Sequence, residues 1–167
     1  MGRQEDPYAL HPYQSDLPTD PRSLGGTRVT EPAPGSPPAP PIAAAVIVKG
    51  GRVLLVQRRV KEGSLSWQFP AGAVEEGESP GQAAVRETKE ETGLTVSETE
   101  ILGQRVHPAT GRTMIYVACQ VMNGEARVAD EDELADFVWS DREGLTRYVP
   151  YGFYEPVQQY LGKALSA

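Results

Sequence analysis

Residues 72–94 read GAVEEGESPGQAAVRETKEETGL, and this stretch carries most of the information about the fold. Its centre predicts a helix with well-defined ends. Ser79 is placed to cap the N-terminus, with Pro80 at the first helical position and Gln82 completing a capping box. Gly93 ends the helix, because glycine readily adopts the left-handed conformation that closes a last turn.

The predicted helix carries a cluster of carboxylates on one face. Glu87, Glu90 and Glu91 are spaced i, i+3 and i+4, so their side chains are neighbours. Like charges at this spacing destabilise a helix, and the helix dipole disfavours anions in the last turns. A bound cation explains such a cluster, and oxygen ligands favour Mg²⁺ or Mn²⁺ over zinc. The alternative is a solvated acidic face paired with nearby basic residues.

Outside this stretch the pattern is that of a mixed α/β domain. The apolar run from Ile42 to Lys49 predicts a buried strand, and Gly50-Gly51 indicates a tight turn into a returning strand. Further elements are predicted as strands at residues 52–57, 66–69, 95–106, 113–122 and 136–140 and as a helix at residues 154–164. We therefore expect a sheet covered by helices on its faces.

The chain has 167 residues, which is the length of one domain, and its N-terminal part is rich in proline. Ten of the 15 prolines fall in residues 1–41, and this segment lacks hydrophobic periodicity. We expect an extended or disordered tail over residues 1–41 and a folded domain over residues 42–167. The tail is compatible with three roles: a simple leader, a segment that docks a partner, or a segment that packs on the domain or on a second subunit.

Composition and charge exclude several classes of protein. With 16 basic and 23 acidic residues the net charge is −7, which disfavours binding to a nucleic-acid polymer. Cys119 is the only cysteine, which excludes an internal disulfide and a cysteine-rich zinc site. The longest apolar run, residues 42–48, is too short to cross a membrane, and the N-terminus shows no apolar signal sequence. We expect a cytoplasmic protein without a membrane partner.

Residues 72–94 resemble the Nudix box, the signature of the Nudix hydrolase family and its MutT-like members. The fixed positions of that pattern all match, at Gly72, Glu78, Arg86, Glu87, Glu90, Glu91 and Gly93. One aliphatic position is Leu94, whereas the other holds Thr88, for which we expect a small packing cost and intact chemistry. The resemblance implies the α/β class and the Nudix fold, an α/β/α sandwich around a mixed β-sheet. It also implies hydrolysis of a diphosphate linkage in a nucleoside diphosphate joined to another group.

In this family the glutamates of the box hold divalent cations that bridge the diphosphate of the substrate. The resemblance implies that Mg²⁺, with Mn²⁺ as an alternative, is held by the carbonyl of Gly72 and by the side chains of Glu87, Glu90 and Glu91. Glu87 is then either a ligand or a base that orients the attacking water. Arg86 is expected to orient the carboxylates, with a surface ion pair as the alternative, and Glu78 to close the loop onto the helix.

A further acid from a later loop often assists catalysis in this family. Residues 130–133 read DEDE and precede a strand that contains Trp139, which resembles that feature. We select Glu133 as the acid, with Glu131 as the second choice. The alternative is a solvated acidic turn.

Three residues are candidates for substrate binding. Trp67 lies in the segment leading into the box and is predicted either to stack on a base or to pack at the core or rim. Arg58 and Arg59 lie at the end of a strand, where they are candidates for contacts to phosphates. All three predictions are weaker than those for the box, because specificity resides in loops rather than in a general motif.

The favoured activity is Mg²⁺-dependent cleavage of a nucleoside triphosphate to a monophosphate and pyrophosphate. The first alternative is hydrolysis of ADP-ribose or a nucleotide sugar, for which a dimer exchanging residues 1–41 would be an indication. The second is a non-catalytic nucleotide sensor, against which the complete set of box carboxylates argues. Each alternative has a nucleotide-type small molecule as ligand, and the protein is expected to be a monomer or homodimer.

Overall fold

The computed structural model of the chain describes residues 37–59, 66–108 and 110–165. These residues form seven strands, β1 (Ile42–Lys49), β2 (Arg52–Arg58), β3 (Ser66–Gln68), β4 (Ala71–Ala73), β5 (Thr95–Val106), β6 (Thr113–Asn123) and β7 (Leu134–Ser140). They also form the helices α1 (Pro80–Thr92), α2 (Arg142–Tyr148) and α3 (Glu155–Ala164). Most of the predicted tail, residues 1–36, lies outside the described residues.

The strands form one mixed sheet in the order β3-β2-β1-β6-β5, in which β4 also pairs with β1 and β7 with β2. Strand β1 runs parallel to β6 and antiparallel to β2 and β4. Its register with β4 sets Ala43 opposite Gly72. The first residue of the box is therefore hydrogen-bonded into the sheet beside its central strand.

Helices cover both faces of the sheet, and β1 is buried between them. Ala43 and Ala45 belong to the core cluster that contains Ala83 of α1, whereas Ala44 belongs to the cluster that contains Val157 of α3. Successive side chains of a strand point to opposite faces, so a strand with helices on both sides is apolar throughout. The α/β/α sandwich around a mixed sheet is thus confirmed.

The caps of α1 lie where the sequence predicts them. Ser79 Oγ accepts the N–H of Gln82 at 3.1 Å, and Gln82 Oε1 accepts the N–H of Ser79 at 2.8 Å. At the other end Gly93 has φ of 74° and donates its N–H to the carbonyl of Lys89 at 3.0 Å. These caps fix which residues face the sheet and which side chains reach the site.

The sequence patterns predict neither β4 nor α2. Strand β4 has three residues, Ala-Gly-Ala, and is too short to show hydrophobic alternation. Helix α2 has seven residues, begins after Asp141, whose side chain accepts the N–H of Gly144, and buries none of its residues. Neither element has the hydrophobic periodicity by which a strand or helix is recognised in a sequence. Within the described ranges no helix has both the length and the apolar character needed to cross a membrane.

Replacing Thr88 by Val is expected to leave turnover unchanged and to alter the free energy of unfolding by about 1 kcal/mol, the contribution of one hydrogen bond. Thr88 is fully buried, and its Oγ1 donates to the carbonyl of Ala84 at 2.7 Å. Valine keeps the branched shape, and the Ala84 carbonyl keeps its helical bond from the backbone. Urea unfolding and turnover assays measure both quantities. A loss above about 2 kcal/mol would contradict this interpretation.

Candidate active site

Arg86 lies at the centre of the box and joins the loop before α1 to the face of the helix. Its Nε and Nη2 donate to the two carboxylate oxygens of Glu78 at 2.9 and 3.0 Å. Nη2 also donates to the carbonyl of Ala73 in β4 at 2.9 Å. Nη1 donates to Glu87 at 2.6 Å and to Glu90 at 3.3 Å. A planar guanidinium with five donors suits this task, and the geometry supports the orienting role expected of Arg86.

Glu78 closes the loop between β4 and α1. Besides the two bonds from Arg86, its carboxylate accepts the N–H of Glu75 at 3.0 Å. The hydrogen bonds from Arg86, followed by the one from Glu75, hold the pKa of Glu78 below its usual range. The Glu78 side chain therefore stays ionised and paired with Arg86, which agrees with a structural role rather than with metal binding.

Gly72 and Glu87 fit against each other so closely that a side chain at residue 72 would have to displace the Glu87 carboxylate. A Cβ built on Gly72 would lie 2.0 Å from both Cδ and Oε1 of Glu87. The half-buried Glu87 carboxylate thus rests on the backbone of β4, and burial raises its pKa. The position of the Glu87 carboxylate therefore depends on the absence of a side chain at residue 72.

Replacing Gly72 by Ala is expected to lower turnover by about 10- to 100-fold while leaving the fold intact. The new methyl group would displace the Glu87 carboxylate, which is the movable end of a flexible side chain held by Arg86. Steady-state kinetics and circular dichroism measure the two effects. Gly162→Ala is the matched control, since Gly162 lies within α3, outside the left-handed region, and a Cβ built there would meet only Nη2 of Arg142, at 3.8 Å. Unchanged turnover in Gly72→Ala would contradict this role of the glycine.

Glu91 is the most buried carboxylate of the box. Its side chain is only 3% exposed and accepts one N–H, from Ala71 of β4, at 3.3 Å. Loss of water raises its pKa to about 8, and the nearby charges of Glu87 and Glu133 contribute to that increase. Burial thus makes this carboxyl group costly to ionise, and a cation beside it would favour the ionised form.

The donors of the box suit a hard divalent cation, although their side chains are not gathered around a single point. Glu90 is exposed, and its carboxylate reaches Arg86. Among the described residues no three side chains of His, Cys, Asp or Glu are close enough together to hold a metal ion as they stand. The buried carboxylate of Glu91 and that of Glu87 over Gly72 nevertheless offer oxygen ligands, which are the ligands that Mg²⁺ and Mn²⁺ prefer.

The later loop brings Glu133 to the same site. The segment that leads to Glu133 is hydrogen-bonded to α1, since the N–H of Ala129 donates to the carbonyl of Glu91 at 2.9 Å. Burial is the main cause of the raised pKa of Glu87 and of Glu91, and the charge of Glu133 contributes to both. Its carboxylate lies 3.4 Å from Nη2 of Arg58, and both side chains are about half exposed. The second choice, Glu131, is exposed. The structure thus places Glu133 beside Arg58, while the catalytic role of the one and the phosphate contact of the other stay predictions.

Arg59 and Trp67 make intramolecular contacts. Arg59 Nε donates to the carbonyl of Leu134 at 3.0 Å, so its guanidinium is engaged at the start of β7. Trp67 packs edge-on against Tyr148, with ring centroids 4.8 Å apart. Rim packing, one of the two possibilities left open for Trp67, is therefore observed, while base stacking stays a prediction.

Two backbone groups and one side chain of this site escape the sequence patterns. The N–H of Ala71 and the carbonyl of Ala73 contact Glu91 and Arg86, but backbone groups leave no trace in residue types. Asp130 accepts two backbone N–H groups of the turn that carries Glu133. An Asp placed just before a turn is a recognisable signal, since Asp commonly bonds to the backbone two or three residues on.

Comparison with known proteins yields one family for most of the chain. The family model described as NUDIX domain matches residues 38–157. An octanoyltransferase of Myxococcus xanthus is 32% identical over 136 residues, covering 74% of this chain and 37% of that protein. A CTP pyrophosphohydrolase of Escherichia coli is 31% identical over 108 residues, covering 64% and 79%. The solution structure of the E. coli ORF135 protein matches with a TM-score of 0.56 and 28% identity, covering 75% and 89%.

The share of each relative that is matched differs widely. The chain spans between 28% and 39% of the length of the first three curated relatives. Most of each of those proteins therefore lies outside the matched region. The CTP pyrophosphohydrolase and ORF135 are matched over most of their length. The match is therefore to a domain that also occurs nearly by itself.

Proposed function

Because the chain belongs to the Nudix family, we propose that it is a metal-dependent pyrophosphohydrolase that cleaves a nucleoside triphosphate into a monophosphate and pyrophosphate. The observation that carries this proposal is Glu91. Its carboxylate is buried beside Glu87 at the end of a complete box and accepts a single hydrogen bond, from the N–H of Ala71 at 3.3 Å. Buried ionisable groups of this kind cluster at functional sites. Here we infer that the function of the carboxylate is to bind a cation that faces the diphosphate of the substrate.

Glu87, Glu90 and Glu91, with the carbonyl of Gly72, are the residues that would hold the metal ion. Mg²⁺ bound there would neutralise the diphosphate and polarise the phosphorus under attack. Glu91 and Glu87 are held against β4, so they supply the fixed part of the site. Glu90 is exposed and must leave the hydrogen bond of Arg86 to join them. Arg86 keeps the remaining carboxylates in place through its bonds to Glu78 and Ala73.

Glu133 and Arg58 are assigned to the reacting groups. The Glu133 carboxylate is half exposed beside the box, where it can accept the proton of the attacking water at its Oε atoms. Nη2 of Arg58 lies 3.4 Å from this carboxylate, which is long for a hydrogen bond. A substrate phosphate can therefore compete with Glu133 for Arg58 by accepting a shorter, charge-assisted hydrogen bond. Arg59 and Trp67 stay candidates for phosphate and base contacts in the substrate complex.

The choice of a nucleoside triphosphate rests on the relatives that are matched nearly in full. The CTP pyrophosphohydrolase, of which the chain covers 79%, carries that substrate in its name. Hydrolysis of ADP-ribose or a nucleotide sugar is the competing activity within the same family. Both activities use the same box and differ in what lies beyond the diphosphate.

Product analysis of a substrate panel tests the proposal. The panel holds the canonical and oxidised nucleoside triphosphates, ADP-ribose, nucleotide sugars and dinucleotides, each with Mg²⁺, with Mn²⁺ and with EDTA. We expect monophosphate and pyrophosphate from a triphosphate, and no turnover in EDTA. Preferred cleavage of ADP-ribose or a nucleotide sugar would replace the substrate assignment. Nucleotide binding without turnover under every condition would identify a sensor and overturn the enzyme.

A further inference from the structure

The segment that joins β6 to β7 is fastened to the C-terminal end of α1. The N–H of Arg127 donates to the carbonyl of Thr92 at 3.0 Å, and the N–H of Ala129 donates to the carbonyl of Glu91 at 2.9 Å. The last carbonyls of a helix lack partners within the helix and need donors from elsewhere. Here the donors come from the segment that leads directly to Glu133. The backbone of Glu91 is thus one hydrogen bond away from the start of the later loop.

Asp130 organises the turn that follows. Its Oδ1 accepts the N–H of Asp132 at 3.0 Å and the N–H of Glu133 at 3.1 Å. Its carbonyl accepts the N–H of Leu134 at 2.9 Å. One residue therefore receives three of the backbone donors of the turn, and the backbone of Glu133 is tied to the residue next to Ala129.

The other side of the turn is held by β2. The N–H of Arg59 donates to the carbonyl of Glu133 at 2.7 Å, and its Nε donates to the carbonyl of Leu134. The Glu133 backbone is thus held from two sides, while its side chain, about half exposed, meets Arg58 at the long distance of 3.4 Å. A fixed backbone with a movable carboxylate suits a group that must reach substrate from a defined origin.

We propose that Asp130 is a positioning residue, which sets the Glu133 carboxylate relative to Glu91 by holding the turn at the end of the segment between β6 and β7. The proposal rests on the proposed function of Glu133. It assigns Asp130 no contact with metal or substrate, and the property it requires of Asp130 is an acceptor at Oδ1. An asparagine side chain keeps that acceptor and an alanine does not.

Two variants and a control separate this role from a general effect of charge. Asp130→Ala is expected to lower kcat by about 10-fold with KM changed by less than about twofold, because the substrate still binds but Glu133 is misplaced. Asp130→Asn is expected to recover most of kcat. Asp132→Ala removes an exposed charge from the same turn and should leave kcat unchanged. Equal losses in Asp130→Ala and Asp130→Asn would overturn the proposal.

A double-mutant cycle with Glu133→Gln tests whether Asp130 acts through Glu133. If it does, Asp130→Ala has little further effect on kcat once Glu133 is replaced. The same 10-fold loss in that background would overturn the inference while leaving the proposed function in place. A Glu133→Gln variant with normal kcat would instead refute the catalytic assignment of Glu133, and this inference with it. Thermal unfolding of each variant verifies that the compared proteins are folded.

Discussion

Replacing Glu91 by Gln is expected to lower turnover by at least about 100-fold in saturating Mg²⁺. The amide has nearly the same shape but cannot supply the negative charge that the buried position directs at the cation. Steady-state kinetics over a range of Mg²⁺ and Mn²⁺ concentrations measures the effect. Glu76→Gln is the matched control, since Glu76 is an exposed carboxylate in the loop of the box. Turnover within a few-fold of wild type would refute the assignment of Glu91.

The same substitution is expected to change how stability depends on pH when metal is removed by EDTA. The folded-state pKa of Glu91 is raised from 4.5 to about 8, so the folded protein retains a proton that the unfolded chain releases. This contribution is present below about pH 4.5 and declines by about 1.4 kcal/mol per pH unit until it is lost near pH 8. Glu91→Gln does not titrate in this window.

Urea unfolding at pH 5.5 and 8.5 in EDTA measures that difference. We expect the free energy of unfolding of the wild type to fall between the two pH values by a few kcal/mol more than that of Glu91→Gln. Adding Mg²⁺ at pH 8.5 should restore stability to the wild type and do less for the variant. Parallel pH profiles of the two proteins would contradict the burial of an uncompensated carboxylate.

Replacing Arg86 by Ala is expected to destabilise the protein by about 2–3 kcal/mol and to lower turnover by at least about 100-fold. Its guanidinium is the shared partner of Glu78, Glu87 and Glu90 and also holds the carbonyl of Ala73. Without it the carboxylates repel one another and Glu78 no longer closes the loop. Arg86→Lys is expected to recover little, because an ammonium is a point charge and lacks the planar fork.

Chemical denaturation and kinetics of Arg86→Ala, with and without Glu78→Gln, separate the two effects. The double variant should regain part of the stability, since an unpaired charge has been removed, but none of the turnover. Recovery of turnover in the double variant would mean that Arg86 merely neutralises Glu78. An Arg86→Ala protein with wild-type stability would mean that the observed bonds contribute nothing.

Most of the fold was predictable because it depends on local patterns. The apolar run of β1, the two glycines after it and the capping box of α1 each specify a conformation through neighbouring residues alone. Strand β4 and helix α2 were not predictable, because three residues and a helix without buried residues carry no periodic signal. Strand β4 matters most of the two, since it supplies the backbone on which Glu87 and Glu91 rest.

The candidate site divides along the same line. The box has given residue types at fixed spacings on one helix, so Arg86 and the carboxylates of α1 can be identified from the sequence. Glu133 was selected by resemblance to the later-loop acid of the family and Arg58 by its place at a strand end, and the structure brings the two together across 75 residues. The structure alone shows that Arg59 contacts the carbonyl of Leu134, and that Asp130 holds the turn of Glu133.

The residue pattern of this chain determines a sandwich of helices around a sheet, a capped helix with carboxylates on one face and the family to which both belong. These properties depend on the order of side chains along the chain, because the regular spacing of a helix or strand places residues at fixed intervals on the same face. The burial of Glu91, the fit of Glu87 against Gly72 and the tie between α1 and the loop of Glu133 depend on segments distant in sequence. Burial and contacts to the backbone of other segments exist only in the folded protein, because they require β4 and the loop before β7 to pack against α1.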